Sequence, residues 1–146
     1  MRKITVSEVY KIFTKKPALV SEETSIEDVI NELLKDPASR SVYVVNKDNK
    51  LSGIITTTVL LKTTHFLKGK QTLRKEDSLN AYKIISAKYA KDIAHPPVFV
   101  YEDTDIIDAL EKMIDENIQE LPIINREKKV IGDLNCLELL KILWEN

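Results

Sequence analysis

The sequence predicts a mixed α/β fold in which two tandem β-α-β-β-α repeats pack through their sheets about a pseudo-twofold axis. Three observations carry that expectation. Laid on itself, the 146-residue chain aligns residues 11–37 with 91–117 and 39–62 with 118–141, with Ala38 as a one-residue insertion. Thirteen of those 51 pairs are identical, among them Pro17/Pro97, Thr24/Thr104, Asn46/Asn125 and Gly53/Gly132, so one fold unit is written twice. Within each copy the apolar pattern alternates between short strand-like runs and a helical face. An apolar fraction of 43% suits a chain that buries roughly 68–70% of its unfolded surface.

Each copy opens on an apolar run after a proline, residues 18–20 and 98–100, where a strand start tolerates the missing N–H. A helix follows. In copy one, Thr24 and Glu27 have capping-box spacing, and Ile26, Val29, Ile30, Leu33 and Leu34 form one buried face. Copy two keeps that face as Ile106, Ala109, Leu110, Met113 and Ile114, with Ile107 in place of the box glutamate. Residues 42–45 and 121–124 are apolar enough to be buried on both sides. Charged turns at 47–50 and 126–129 then lead into strands 51–55 and 130–134, giving hairpins with four-residue loops. A last helix begins near Thr57 or Cys136. A single unit of this size leaves apolar surface uncovered, so the two pack together and leave a cleft between them. The chain divides into repeat one at 1–67, a basic linker at 68–86 and repeat two at 87–146.

Composition removes several chemistries. Twenty-two Lys and Arg face 23 Asp and Glu, a net charge of -1 that gives no global pull toward nucleic acid or anionic membrane. One cysteine, Cys136, forms no internal disulfide, and two histidines thirty residues apart make no zinc motif. Three glycines are too few for a phosphate-binding glycine loop. The most apolar stretch, 54–61, is far short of a membrane span, and Glu8 interrupts any leader-like start. These features point to a cytoplasmic protein with no catalytic constellation and no metal site.

The doubled Pro-x-x-Val, the Thr-x-Ile-x-Asp helix start, ELPIIN at 120–125, and the glycine-led GIITTTVLL and GDLNCLELL resemble the cystathionine-β-synthase (CBS) domain pair, or Bateman module. The likeness spans essentially the whole chain. It implies a regulatory sensor that binds an adenosine-containing ligand such as AMP, ATP or S-adenosylmethionine, needs no cofactor, and forms a homodimer. The resemblance also implies a Ser or Thr after the glycine strand and an Asp three residues on, for phosphate and ribose. Here Thr56 keeps the hydroxyl while Val59 takes the Asp position, and copy two carries Asn135 and Glu138. Ribose recognition is therefore expected to be asymmetric and to favour Glu138. Both sets of residues also fit a plain helix-capping role. Arg40 is a candidate phosphate contact, with Gln119 and Glu120 at the matching place in copy two. Leu19, Tyr43, Phe99 and Pro122 are candidates for an adenine slot, with ordinary core packing as the competing reading.

Residues 63–91 hold seven basic and two acidic side chains, a local charge of +5, and Leu79, Tyr82, Ile85, Ala87 and Tyr89 are spaced for a helix. This basic stretch raises an alternative role in RNA binding, although lysines on a solvated connecting face are the commoner arrangement. A second alternative is a ligand-free interaction scaffold, suggested by Val59, Asn135 and Glu138. Leu143 and Trp144 fit either core or a dimer contact.

Overall fold

In copy one the apolar runs become strands β1 (Leu19–Ser21), β2 (Ser41–Val45) and β3 (Leu51–Thr56). This is a computed structural model, and it describes residues 2–12, 16–69 and 86–145. Helix α1 (Ile26–Leu34) crosses from β1 to β2, which pair in parallel with Leu19 opposite Tyr43. β2 and β3 form the expected hairpin and lead into α2 (Thr57–Lys68). In copy two, α4 (Ile106–Glu116) precedes β4 (Glu120–Ile124), β5 (Val130–Asn135) and α5 (Cys136–Glu145). The short α3 (Ala90–Ile93) lies before it. Most of the expected helix at 79–89 falls outside the described residues.

The run at 98–100 is not a strand. It is reduced to one parallel bridge, Val100 with Ile123. The reason is a single residue. In copy one the Tyr43 N–H donates to the Ala18 carbonyl at 2.8 Å, but Pro122 stands at the equivalent place in copy two and has no N–H to give. Only the bonds flanking Val100 survive, from Val100 N to Pro122 O and from Ile124 N to Val100 O.

The helix starts also differ from the sequence reading. Thr24 does not cap α1; its Oγ1 accepts the Ser21 N–H and closes the preceding turn, as Thr104 does for the Tyr101 N–H. Ser25 and Asp105 are the caps, accepting from Asp28 N and Ile107 N. Leu34 and Ile114 point outward, 68% and 67% exposed, so each helix buries only its first two turns of apolar face. Asn46 and Asn125 explain the hairpin loops: each side chain accepts two backbone N–H groups of its own turn.

The segments that precede the two repeats are exchanged. Val6 N and Ser7 N donate to the carbonyls of Thr104 and Glu102, while Ala90 N and Lys91 N donate to those of Thr24 and Glu22. Val6 and Val9 accordingly lie in the core of copy two, and Ala90 and Ile93 in that of copy one. Burying each such valine or isoleucine contributes about 1.5–3 kcal/mol, so the exchange ties the copies together. It also explains the paired glycines. A Cβ on Gly53 would sit 2.9 Å from Ala94 Cβ and 3.1 Å from the His95 carbonyl, and one on Gly132 would sit 2.6 Å from the Tyr10 ring. Between the sheets lies a third apolar cluster, Tyr43, Leu51, Ile54 and Ile124, with Leu19 and Phe99 packed against it. No helix among the described residues is long and apolar enough to cross a membrane.

Candidate functional site

The exchange places chain from both copies around the end of β3. Thr56 ends that strand and caps α2, its Oγ1 accepting the Val59 N–H at 3.3 Å. A cleft of about 550 Å³ opens beside it. Ile54, Thr56, Val59 and Lys62 form one wall, residues 95–98 the second, and Glu116, Asn117 and Ile118 the third. Asn117 ends α4 in the left-handed region (φ 52°), which turns the chain toward the cleft. A polar recess of about 80 Å³ continues from it, sharing Thr56, Thr58, Asn117 and Ile118 and adding Arg40, Ser41, Thr57 and Gln119. The Ser41 hydroxyl, on a residue 1% exposed, has no partner. This combination offers apolar walls, one lysine, and hydroxyl and amide groups at a helix N-terminus, a setting suited to a flat ring carrying a polar or anionic tail.

At the end of β5 the matching junction is arranged differently. Asn135 caps α5 by accepting the Leu137 N–H at 2.8 Å, and Glu138 Oε1 accepts the Asn135 N–H at 3.0 Å. That is a capping box, with Glu138 only 2% exposed. Asn135 Nδ2 donates across the copies to the Ala38 carbonyl at 3.3 Å. Glu120, fully buried, receives both the Arg40 and Ser41 N–H groups at 3.1 Å. Burial, reinforced by the nearby Glu120 and Asp133 carboxylates, drives the Tyr43 hydroxyl far above the usual phenol range. It therefore stays protonated and donates to Asp133 at 3.3 Å. Burial raises the Cys136 thiol, against a smaller opposing pull from Arg40.

Of the residues singled out from the sequence, Thr56 and Arg40 border the cleft or its recess. The Arg40 guanidinium, however, donates to the Pro37 and Ser39 carbonyls of its own loop. Asn135 and Glu138 belong to the other junction. Leu19, Tyr43 and Phe99 pack in the inter-sheet cluster, and Pro122 is buried in β4. The cleft's apolar walls come from Ile54, Val59, Val98 and Ile118 and from Pro96 and Pro97. Sequence reasoning missed the walls at 95–98 and 116–118 because they come from segments far along the chain from Thr56. The signal lay in the likeness of residues 6–9 to 90–93, apolar at both ends with an acid third. Among the described residues no group of His, Cys, Asp and Glu is placed to hold a metal ion.

Comparison with known proteins agrees with this architecture. The CBS domain model matches residues 6–64 and 90–145. A CBS domain-containing protein (tm0935) from Thermotoga maritima is 38% identical with a TM-score of 0.83, covering 100% of this chain and 98% of its own. The fold is shared by two more distant structures. One is PAE2072 from Pyrobaculum aerophilum complexed with AMP, 22% identical with a TM-score of 0.73 and 97% coverage of both chains. The other is the CBS domain pair of MJ0100 in complex with 5-methylthioadenosine and S-adenosyl-L-methionine, 19% identical, TM-score 0.73, covering 99% of this chain and 98% of that one. The chain spans about a fifth of the length of Protein SDS23 of Candida albicans, to which it is 25% identical over 95% of its own length. Doubled repeat, exchanged segments and inter-repeat cleft converge on one conclusion: the chain belongs to the CBS domain family, as a tandem pair.

Proposed function

We propose that the chain is a non-catalytic regulatory module that binds an adenosine-containing small ligand in the Thr56 cleft. The observation that carries this reading is the continuity of that cleft with a polar recess lined by Arg40, Ser41, Thr57 and Gln119 at the N-terminus of α2. The backbone N–H groups at that helix start and the hydroxyl and amide side chains around it offer hydrogen bonds to a ligand's polar end. The AMP and S-adenosylmethionine complexes of related folds support the ligand class. The base lies against the apolar walls, and any phosphate lies toward Lys62 and the α2 N-terminus, away from Glu120 and Glu138, where like charge opposes it. The module acts in the cytoplasm as a homodimer. Its helices expose matched apolar pairs for that contact, Leu34 with Ile114 and Leu61 with Leu140.

Calorimetry with adenosine, AMP, ATP and S-adenosylmethionine tests the reading. At least one binds, and Thr56→Val with Ser41→Ala weakens it by about tenfold or more. Absence of binding by every member overturns the ligand reading and leaves the interaction scaffold. Binding of RNA that falls steeply with salt would favour the basic linker instead.

A further inference from the structure

The two strand-to-helix junctions of a CBS pair occupy equivalent places, yet here their polar groups are committed differently. We infer that the α5 junction is a self-liganded lock, in which the chain's own carboxylates and the 36–40 loop take the positions of a ligand, so each chain binds one ligand, at the Thr56 cleft. The inference rests on the ligand reading above only for its stoichiometry.

A helix N-terminus attracts an anion through its unsatisfied N–H groups. At α5 the anion is already built in. Glu138 accepts the cap residue's N–H, and Asn135 accepts the Leu137 N–H. The insertion that breaks the repeat, Ala38, supplies the carbonyl that receives Asn135 Nδ2. Its loop is braced from within, as Asp36 accepts the Ala38 N–H through its side chain and the Ser39 N–H through its backbone. Arg40 folds back onto the carbonyls of Pro37 and Ser39. Glu120 then clamps the loop's end through Arg40 N and Ser41 N. A ligand entering here would have to displace the bonds of Glu120, Asn135 and Glu138, which are 0%, 5% and 2% exposed, whereas at α2 a cleft of about 550 Å³ stands open.

Cys136, the first residue of α5 and the chain's single cysteine, is a built-in reporter. The experiment compares its alkylation by iodoacetamide with and without saturating AMP, ATP or S-adenosylmethionine, whichever calorimetry shows to bind. The rate stays within about twofold, while Thr58→Cys in a Cys136→Ser background is protected about tenfold, and binding saturates at one ligand per chain. Protection of Cys136, or two ligands per chain, overturns the lock. Melting temperatures test it without ligand. Asn135→Ala and Glu138→Gln each lower the melting temperature by roughly 3 °C or more, and Thr56→Ala lowers it by less. Should none of the panel bind, the ligand reading fails alone and the melting series still decides. Equal shifts at Thr56 and Asn135, with no loss from Glu138→Gln, reject the lock; Glu138→Gln keeps the test open if Asn135→Ala does not fold.

Discussion

The ends of β3 and β5 are the same place in two copies of one fold, and they have diverged in opposite directions. In copy one the positions facing the boundary are Ser41, Ile54, Thr56 and Val59; in copy two they are Glu120, Asp133, Asn135 and Glu138. Small neutral side chains leave a cleft and an unpartnered Ser41 hydroxyl. Carboxylates and an amide, being costly to bury alone, instead draw in backbone donors and a loop from the other copy. Duplication therefore preserves the scaffold while three carboxylates and one amide at four positions decide which junction stays open.

The largest expected effect breaks this contrast at its centre. Glu120→Ala strips the acceptor from two N–H groups and costs on the order of 3 kcal/mol, whereas Ser41→Ala at the equivalent position changes stability by less than about 0.5 kcal/mol. Urea unfolding measures both, and similar losses would show that Glu120 is not the clamp. Next, Gly53→Ala costs about 2–3 kcal/mol because its Cβ meets Ala94 and a backbone carbonyl, and Gly132→Ala costs less because the obstacle is the Tyr10 ring. Adding Tyr10→Ala relieves the Gly132 variant and leaves the Gly53 variant unchanged; a purely additive cycle would contradict the exchanged-segment account.

A smaller effect tests why the copies differ at their first strand. Pro122→Val returns an N–H opposite the Val98 carbonyl, and hydrogen exchange should find the new amide as protected as that of Tyr43. Rapid exchange there would mean that something other than the proline disrupts the strand. The smallest effect concerns acid. Glu8 and Asp92 occupy matching places in the exchanged segments and accept backbone N–H groups from Thr5 and from Lys88 and Tyr89. The Arg2 hydrogen bond first, then that of Thr5, holds the Glu8 carboxyl below its usual range, and the two backbone bonds do so for Asp92. A folded pKa below the unfolded one stabilises above the unfolded value, and the contribution fades as pH falls through the folded one. The loss therefore lies below about pH 4, and it shrinks in Glu8→Gln and Asp92→Asn proteins titrated by thermal melting.

Much of the fold was legible because repetition and apolar period are local properties of the chain. Gly53 and Gly132 marked the repeat, and the runs at 42–45 and 121–124 became β2 and β4 nearly to the residue. The candidate site was legible only in outline. Thr56 was found from its place after the glycine strand, but the walls at 95–98 and 116–118 come from elements distant in sequence. Asn135 and Glu138 fitted both a ligand contact and a capping box, and local spacing alone does not separate the two.

The sequence by itself determined the doubled unit, its crossover helices, its hairpins, its final helices and the positions at which the copies differ in charge, since each depends on neighbours along the chain. Only the tertiary structure decided that residues 4–9 serve copy two and 88–95 serve copy one, that Pro122 erases a strand, and that Glu120 closes one junction on the backbone of the other copy. Those outcomes turn on which donor meets which acceptor across the pseudo-twofold boundary, a pairing fixed by packing rather than by sequence separation.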